Sequence, residues 1–440
     1  MLVKLEIENF RSFKRRVVFH TVQRNYKRFS EHVHTVDEDF SILKTSGIYG
    51  SNGSGKSNLF KALYYLQQIV VNKEFLKSVE SIKNFTPFKL DSKISNMPIQ
   101  IEVDILIDYR IFSYKIHLES ETRKIIYEEL LEIDSDQIIF KRTLNNLEFP
   151  NNTKLQNFQS QLSEALQPYT SVLSFELIRD EDITLVKNWF ECKVEFLFPT
   201  YEFDDIAYIF TLKKEYLQLA NNIIKPLNVG IDKLEINLVP INIYLGIEYK
   251  DIINQITEIL QTKTHHSFKD NLGNFCTALK NEFDEILIAK LVCIHYDNNN
   301  RPIAFDVDQE SRGTIVLLHL LPALIRSYGE GVNYFIDDIN TSLHPVLLKE
   351  VLGQYLTFNL GSAKGQLIFN SHEDLLMDEK IVRQDEIWLM EKKDGVSDIF
   401  PLSDFPNIRF DLNLRKNYLN GKFGGVPFSE KPQKLNFGEK

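Results

Sequence analysis

The fold is decided by the stretch at residues 47–60, GIYGSNGSGKSNLF. The chain enters it through an apolar run that predicts a strand, passes through a loop rich in glycine, and leaves as a helix from Ser57. The helix is indicated by apolar side chains at helical spacing, namely Leu59, Phe60, Leu63, Leu66, Ile69 and Val70. A strand, a tight loop and a helix in this order predict an α/β fold with a site at the loop.

The loop itself, GSNGSGKS at residues 50–57, fits the pattern GxxxxGK[ST]. Its glycines let backbone N–H groups turn inward around phosphate oxygens, and the start of the helix adds positive potential. Lys56 supplies a point charge, and the hydroxyl of Ser57 is suited to Mg²⁺. We therefore predict nucleotide binding, with a merely structural glycine turn as the alternative. The predicted binding residues are Asn52, Gly53, Ser54, Gly55, Lys56, Ser57 and Asn58.

A second candidate centre lies in FIDDINTSLHP, residues 335–345. Asp337 falls at the end of a predicted strand, where it can hold Mg²⁺ through water, and Asp338 can polarise an attacking water. Such centres usually carry glutamate at the second position, and the carboxylate of Asp338 is one methylene shorter. Because a misplacement of about 1 Å can cost on the order of a hundredfold in rate, we expect slow turnover.

Two more segments are candidates for the nucleotide site. QESRGTIVLL places Ser311, Gly313 and Thr314 at the start of an apolar helix, which is either an anion site or an ordinary helix cap. QLIFNSHEDLL ends a strand at His372, whose imidazole either reaches a γ-phosphate or belongs to an ordinary loop. The order of the four segments resembles that of ABC-type ATPases. The predicted catalytic residues are therefore Lys56, Asp338 and His372.

The remaining patterns predict the domain organisation. At 440 residues the chain exceeds one ordinary hydrophobic core. Period-two patterns predict a hairpin from LVKLEIENF and RRVVFH and an antiparallel sheet over about 98–145, whereas helical patterns dominate about 155–290. After residue 300, helices alternate with strands of a mostly parallel sheet. We predict two halves of an α/β ATPase head at 1–150 and 296–428, a mainly helical insertion at 151–295, and a flexible tail at 429–440.

The composition is typical of a cytoplasmic protein. The sequence has no window with enough uninterrupted apolar residues for a membrane span, and its first residues alternate where a signal peptide would be apolar. The three cysteines are scattered, which favours free thiols. A formal net charge of −10 argues against a surface devoted to nucleic acid, although one basic stretch could contact it. Its basic residues are Lys4, Arg11, Lys14, Arg15, Arg16, Arg24, Lys27 and Arg28.

Several segments resemble a known group of proteins. The opening LEIENFRSF resembles the start of RecF, SMC-like and OLD-like ABC ATPases. GIYGSNGSGKSNL, ESRGT, IDDINTSLHP and FNSH resemble their Walker A, signature, Walker B with D-loop, and switch-histidine segments. DEIWLMEKKDG and YLNGKFGGVP are similar to the ending of Rlo-, AbiL- and PARIS AriA-type ATPases of bacterial anti-phage systems. The resemblance covers nearly the whole chain and implies an ABC head that uses ATP and Mg²⁺ beside a separate effector, often a Toprim-type nuclease.

The resemblance also implies a homodimer, or a larger homo-oligomer, with two nucleotides held at composite sites. Lys56, Ser57, Asp337, Asp338 and His372 of one subunit would face Ser311, Gly313 and Thr314 of another, and Ser342, Leu343 and His344 would form the interface D-loop. Arg11 is a further candidate at the nucleotide, with a salt bridge at the strand edge as the alternative. The glutamine that senses Mg²⁺ in this group cannot be placed, since FTPFKLD, where it is expected, contains none.

We consider four hypotheses for the function. The leading hypothesis is a slowly hydrolysing ABC-type ATPase that controls an effector in antiviral defence. The alternatives are a RecF- or SMC-like DNA-repair ATPase that binds duplex DNA, and a nucleotide-locked scaffold with little turnover. An OLD-type nuclease acting alone is disfavoured, because fewer than 70 residues follow His372, too few for a Toprim domain.

Overall fold

The computed structural model describes residues 1–24, 26, 28–199, 206–246, 249–270, 275–356, 363–378, 380–405 and 413–425. The predicted tail at 429–440 lies outside these residues. Two compact units make up the chain. We call them the first unit (Met1–Phe196, Asn333–Ile339 and Gln366–Lys440) and the second unit (Leu197–Val332 and Asn340–Gly365). The predicted boundaries at 150 and 295 do not coincide with this division, because residues 151–196 belong to the first unit and residues 296–332 to the second.

The elements are numbered in chain order. The strands are β1 (Leu2–Glu8), β2 (Val17–His20), β3 (Val33–Thr35), β4 (Ser41–Leu43), β5 (Thr45–Tyr49), β6 (Ile99–Ile107), β7 (Arg110–Leu118), β8 (Ile125–Glu132), β9 (Gln137–Thr143), β10 (Asn146–Glu148), β11 (Val194–Leu197), β12 (Lys233–Pro240), β13 (His265–Lys269), β14 (Phe275–Lys280), β15 (Ile286–Tyr296), β16 (Pro302–Asp306), β17 (Asn333–Ile336), β18 (Leu367–Ser371), β19 (Ile387–Lys393) and β20 (Val396–Pro401). The α-helices are α1 (Lys56–Val71), α2 (Val79–Asn84), α3 (Ser92–Ser95), α4 (Thr153–Gln156), α5 (Gln159–Ala165), α6 (Glu181–Cys192), α7 (Ile206–Leu212), α8 (Lys214–Ile224), α9 (Ile241–Leu245), α10 (Lys250–Ile259), α11 (Arg312–Gly329), α12 (Pro345–Gln354) and α13 (Leu414–Leu419).

The first unit contains an antiparallel sheet with the strand order β10-β9-β8-β7-β6-β1-β2. β1 pairs with β2, with Leu5 opposite Phe19, so the hairpin predicted from the N-terminal sequence is confirmed. β6 to β9 form successive antiparallel pairs, as predicted for residues 98–145. Successive side chains of a strand point to opposite faces of the sheet, so one face of this sheet lies in the core. Leu5 and Phe19 are both almost fully buried.

A buried ionic cluster joins this sheet to the segment after β10. Glu128 on β8 and Arg142 on β9 are almost fully buried and lie 3.7 Å apart. The hydroxyl of Tyr114 donates to Glu128 at 2.8 Å, and so does the backbone N–H of Val172 at 2.9 Å. Arg142 donates to the carbonyl of Thr170 at 2.8 Å. Burial raises the pKa of Glu128 to about 7, against the opposing effect of Arg142.

A mostly parallel sheet has the order β11-β17-β18-β5-β19-β20. β17, β18, β5 and β19 run parallel, and β20 pairs antiparallel with β19. Every residue of β5 is buried, as expected for a central strand of a parallel sheet. The predicted α/β class with a mostly parallel sheet is therefore confirmed. Because the carboxyl ends of parallel strands meet at one edge, the loops after β5, β17 and β18 converge there.

The second unit contains an antiparallel sheet with the order β12-β15-β14-β13, and β16 also pairs with β15. One hydrophobic cluster of this unit comprises Ile241, Ile256, Leu260, Cys276, Ala278 and Ile288. Within the described part of residues 151–295, α4 to α10 together contain more residues than β11 to β15, so helices predominate as expected. The sequence interpretation did not specify the strands of this sheet, because a continuous apolar run, such as the one in β15, does not distinguish a buried strand from a helix.

Most of the described positive charge near the N-terminus is paired with carboxylates. The ion pairs are Lys4 with Glu6, Glu102 and Asp104, Lys14 with Asp91, Arg16 with Glu6 and Glu102, and Arg24 with Asp404. Lys27 lies outside the described residues. As for membranes, within the described part of the chain no helix has the length and apolar character needed to cross a bilayer.

Candidate nucleotide-binding site

The glycine-rich loop between β5 and α1 is held by contacts that leave no room for side chains. A Cβ at Gly50 would lie 2.2 Å from the carbonyl oxygen of Met390, and one at Gly55 would lie 2.4 Å from Oγ of Ser397. Gly55 also has a φ of 112°, which residues with side chains rarely adopt. Ser397 in turn donates from Oγ to the carbonyl of Ser54 at 2.6 Å. Glycine at these two positions is thus required by the local geometry.

Lys56 begins α1 and is almost fully buried. Its ammonium group donates to the carbonyl oxygen of Gly50 at 2.8 Å and to that of Ser51 at 3.1 Å. Burial lowers the pKa of Lys56, and the carboxylates of Asp338 and Asp337 raise it. An ammonium has three N–H donors, so beyond these two bonds one is left for a ligand.

A cavity of about 410 Å³ opens at this loop, a size that suits a small-molecule site. Its lining residues are Asn52, Gly53, Ser54, Gly55, Lys56, Ser57, Asn58, Asp338 and His372. Within the first unit, the structure therefore brings the predicted loop residues together with two residues predicted to be catalytic. Oγ of Ser54 is buried and has no hydrogen-bond partner among the described residues, which fits a ligand oxygen at this position.

Asp337 follows β17 and is 5% exposed. Nδ2 of Asn370 donates to Oδ1 of Asp337 at 2.5 Å. Burial raises the pKa of Asp337, whereas the bond from Asn370, the nearby hydroxyl of Ser57 and the charge of Lys61 lower it. A serine hydroxyl near a buried carboxylate is the pair of oxygen groups that holds a phosphate-bound Mg²⁺ in P-loop proteins, so these residues fit that ion.

Asp338 adopts a left-handed backbone conformation with a φ of 52°, which aspartate tolerates better than most side chains. Its backbone N–H donates to Oδ1 of Asn370 at 2.9 Å. Oδ1 of Asp338 lies 3.7 Å from Nδ1 of His372. The two side chains are 35% and 50% exposed, respectively, so both are accessible to a ligand in the cavity.

Asn370 is a residue whose role the sequence interpretation missed. It lies on β18, is fully buried, and contacts both Asp337 and Asp338. The signal was present in LIFNS, because an amide inside an apolar strand needs polar partners once it is buried. The sequence did not show that those partners are the two acids.

Arg11 is held beside the cavity by neutral oxygens. Its guanidinium donates to the carbonyl of Asn84 at 3.0 Å, to Oδ1 of Asn58 at 3.3 Å and to the hydroxyl of Tyr65 at 3.3 Å. These contacts differ from the strand-edge salt bridge considered as the alternative. Since Asn58 lines the cavity, Arg11 is one residue removed from the lining.

In the second unit, the predicted signature segment starts α11. Ser311 caps this helix, because its Oγ accepts the N–H of Thr314 at 3.2 Å. A Cβ at Gly313 would lie 3.3 Å from the carbonyl oxygen of Ser342, and Nε of Arg312 donates to Oγ of Ser342 at 3.4 Å. The structure therefore brings the predicted signature segment next to the predicted D-loop.

The other two residues of the predicted D-loop precede α12. Leu343 is buried, and His344 caps α12, since its Nδ1 accepts the N–H of Val346 at 3.3 Å. The placement of this loop and of the signature segment across a dimer interface stays a prediction.

The C-terminal segment YLNGKFGG, residues 418–425, contacts the glycine-rich loop that follows β5. The carbonyl of Gly425 accepts the N–H of Ser51 at 2.9 Å and the hydroxyl of Tyr418 at 3.1 Å. Arg415 on α13 pairs with Asp374, in the segment after β18, at 3.1 Å. The C-terminal part of the first unit thus contacts both the phosphate-loop sequence and the segment that follows His372.

The cavity residues fall within a stretch that a known family model also matches. The model, described as "AAA domain, putative AbiEii toxin, Type IV TA system", matches residues 46–378. The chain belongs to this AAA domain family. Membership implies ATP hydrolysis and the use of ATP with Mg²⁺, which agrees with the residues at the cavity. No curated protein significantly matches this AAA domain protein in sequence.

Solved structures similar to this AAA domain protein include three SMC heads. The SMC head bound to the C-winged helix domain of ScpA has 15% identity and a TM-score of 0.41, with 91% of this chain and 96% of that chain covered. The SMC head domain from Thermotoga maritima has 12% identity and a TM-score of 0.40, with 91% and 98% covered. The Smc head domain with an extended coiled coil, bound to the C-terminal domain of ScpA and derived from Pyrococcus furiosus, has 14% identity and a TM-score of 0.39, with 91% and 96% covered.

Proposed function

We propose that this protein binds ATP with Mg²⁺, hydrolyses it slowly, and regulates a separate effector, a Toprim-type nuclease or a toxin, in bacterial anti-phage defence. The observation that carries the proposal is the convergence of Lys56, Ser57, Asp338 and His372 on one cavity, with Asp337 directly before Asp338 and close enough to Ser57 for the hydroxyl to affect its pKa. A loop that binds phosphates, a pair of Mg²⁺-suited oxygens and a carboxylate beside them make up the parts of a nucleotide-hydrolysing site.

Each residue has a definite part in this site. The loop amides and Lys56 bind the phosphates, and Ser57 and Asp337 hold Mg²⁺, which supplies positive charge where negative charge develops. Asp338 accepts a hydrogen bond from the attacking water and orients it. His372, 3.7 Å from Asp338, can donate a hydrogen bond to a terminal phosphate oxygen.

The slow rate follows from Asp338. Its carboxylate is one methylene shorter than that of glutamate, and its backbone is fixed by a hydrogen bond to Asn370. The carboxylate of Asp338 is therefore too short to reach water held for in-line attack at the best distance. A misplacement of about 1 Å between the two costs on the order of a hundredfold in rate. A long-lived ATP-bound state suits a sensor better than a motor.

The regulatory role has two supports. The description of the matching family names an AbiEii toxin and a type IV toxin–antitoxin system. The ending DEIWLMEKKDG and YLNGKFGG resembles that of ATPases which work beside an effector in anti-phage systems. Duplex DNA is a weaker candidate partner, because four of the basic residues near the N-terminus, Lys4, Lys14, Arg16 and Arg24, are paired with carboxylates.

Nucleotide binding is tested with Lys56→Ala. ATP affinity should fall strongly in this variant, because the buried ammonium is lost from the phosphate site. Lys77→Ala is the matched control, since Lys77 is exposed and pairs with Glu74. ATP affinity equal to wild type in Lys56→Ala, measured by calorimetry, would show that the cavity is not a nucleotide site.

The composite dimer is tested by mixing two inactive variants. Lys56→Ala disables the phosphate loop, and Gly313→Leu places a bulky side chain where even a Cβ would lie 3.3 Å from the carbonyl oxygen of Ser342. In a mixed dimer one site keeps an intact loop and an intact signature segment. An equal mixture should then recover about a quarter of the wild-type turnover. No recovery, with each variant retaining its fold and its dimerisation, would mean that the sites are not shared between subunits.

The effector is tested by purifying the protein with the product of its neighbouring gene, with and without ATP. We expect the complex to depend on nucleotide in wild type and to lose that dependence in Lys56→Ala. A neighbouring product that neither binds nor changes activity would contradict the regulatory role, and tight duplex-DNA binding with a steep salt dependence would favour a repair function.

A further inference from the structure

We propose that Asn370 is a positioning residue that fixes the two acids of the nucleotide site relative to each other. The inference rests on the proposed function, because it concerns how Asp337 faces Mg²⁺ and how Asp338 faces the attacking water.

The inference starts from the contacts of a single side-chain amide. Nδ2 of Asn370 donates to Oδ1 of Asp337 at 2.5 Å, and Oδ1 of Asn370 accepts the backbone N–H of Asp338 at 2.9 Å. The backbone carbonyl of Asn370 also accepts the N–H of Ile339 at 3.1 Å. One residue of β18 therefore binds the three consecutive residues that follow β17.

Burial makes these bonds effective as constraints. Asn370 is fully buried and Asp337 is nearly so, hence water cannot readily replace either partner. The first bond fixes the rotamer of the carboxylate at Asp337. The second bond fixes the peptide at Asp338, whose φ of 52° is a conformation that needs support from its surroundings.

Asparagine is suited to this position because its amide offers a donor and an acceptor in one plane. An aspartate would keep the acceptor for the N–H of Asp338 but, when ionised, could not donate to Asp337. A serine is too short to bond both groups, and an alanine bonds neither. The residue type is thus explained by the two acids rather than by packing alone.

The same strand also leads to His372, two positions after Asn370. β18 pairs with β17, with Phe369 opposite Ile336, immediately before the bonded residues. A shift of the end of β18 would therefore move the histidine and both acids together. Asn370 links the segment that carries His372 to the acids on the neighbouring strand.

The experiment compares Asn370→Ala, Asn370→Asp and a matched control, Gln366→Ala. Gln366 is a fully buried amide at the other end of the same strand segment, where it donates to the carbonyls of Leu2 at 3.0 Å and Leu43 at 2.9 Å. It does not bond either acid. Each variant is measured for melting temperature, ATP affinity in EDTA, the Mg²⁺ concentration that gives half of the Mg²⁺-dependent gain in ATP affinity, and turnover at saturating Mg²⁺.

For Asn370→Ala we expect the half-saturating Mg²⁺ concentration to rise about 10- to 100-fold, as is typical when a partner of a metal-holding residue is lost. ATP affinity in EDTA should stay within about threefold of wild type, because Lys56 and the loop amides remain. Turnover at saturating Mg²⁺ should fall on the order of a hundredfold in Asn370→Ala. Asn370→Asp keeps the acceptor for the N–H of Asp338 but places a second carboxyl group against Asp337, so the half-saturating Mg²⁺ concentration should rise in this variant as well. Gln366→Ala should lower the melting temperature and leave the Mg²⁺ response unchanged.

The proposal is overturned if Asn370→Ala behaves as Gln366→Ala does, with a lower melting temperature and a wild-type Mg²⁺ response. It is also overturned if Asn370→Ala and Asn370→Asp lose ATP affinity in EDTA to the same extent as Lys56→Ala, since that would indicate general damage to the site. Failure of the proposed function is a different result, in which wild type and Lys56→Ala bind ATP equally.

Discussion

Lengthening the side chain at position 338 gives the sharpest test of how this site works. In Asp338→Glu the carboxylate gains one methylene while the backbone keeps its hydrogen bond to Asn370, 2.9 Å long in the wild type. The carboxylate of Asp338 is 35% exposed, so a longer side chain has room to extend. His372, at 3.7 Å, is the neighbour it would have to pass.

Asp338→Glu has two opposing effects on the rate of hydrolysis, one from the position of the carboxylate and one from the backbone conformation. Moving the carboxylate about 1 Å closer to the attacking water gains on the order of a hundredfold in rate. The φ of 52° favours aspartate, and glutamate in the left-handed region costs about 1 kcal/mol more, which lowers the population of the competent loop about fivefold. The rate effect is larger, so we expect Asp338→Glu to hydrolyse ATP about twentyfold faster than wild type.

The assay is steady-state phosphate release at saturating ATP and Mg²⁺. Asp338→Asn is the matched control, because asparagine tolerates the same backbone conformation but cannot accept the water's proton, so it should be slower than wild type. ATP affinity in EDTA should be equal in all three proteins. A slower Asp338→Glu with unchanged affinity and melting temperature would refute the reasoning and show that the site is adapted to aspartate.

Two further predictions concern the loop and the buried ionic cluster. Gly55→Ala should destabilise the protein by about 2 kcal/mol or more and abolish ATP binding, because its Cβ would lie 2.4 Å from Oγ of Ser397. Gly53→Ala, whose Cβ would meet nothing within 4 Å, should lower the free energy of unfolding by only about 1 kcal/mol. Equal losses of unfolding free energy in the two variants, measured by urea denaturation, would contradict this. Because the pKa of Glu128 is raised to about 7 in the fold, its contribution to stability falls as pH rises from about 4.5 to 7, so the melting temperature of wild type relative to Glu128→Gln should fall over that range. A difference in melting temperature between wild type and Glu128→Gln that stays constant over this pH range would show that Glu128 does not titrate in this way.

The sequence predicted the parts of the fold that carry a strong local pattern. The period-two runs of β1 and β2 and the helical spacing in α1 are confirmed, because each is dictated by burial of one face of its own element. The glycine loop was also predictable, since Gly55 is demanded by backbone geometry that no other residue adopts readily.

The missed features depend on contacts between distant parts of the chain. The sheet of the second unit includes β16, whose side chains are mostly exposed, and β13, which shows little apolar alternation, so neither carried a strand signal. The buried amide of Asn370 predicts polar partners, but those partners are identified only when β17 is placed beside β18. Likewise, the bond from Ser51 to Gly425 joins residues that are far apart in sequence and leaves no local pattern.

The position of β5 between β18 and β19 has a consequence for biosynthesis. The ribosome completes the phosphate loop early, yet about 310 residues separate Lys56 from Leu367, the first residue of β18. At about 5–20 residues per second, roughly 15–60 s pass before the flanking strands exist. Until then β5 is a strand with both edges unpaired, and the nascent chain has no nucleotide pocket. A prematurely terminated chain would therefore carry the phosphate-loop sequence without the capacity to bind ATP, and its unpaired strand would make it a substrate for chaperones and proteases.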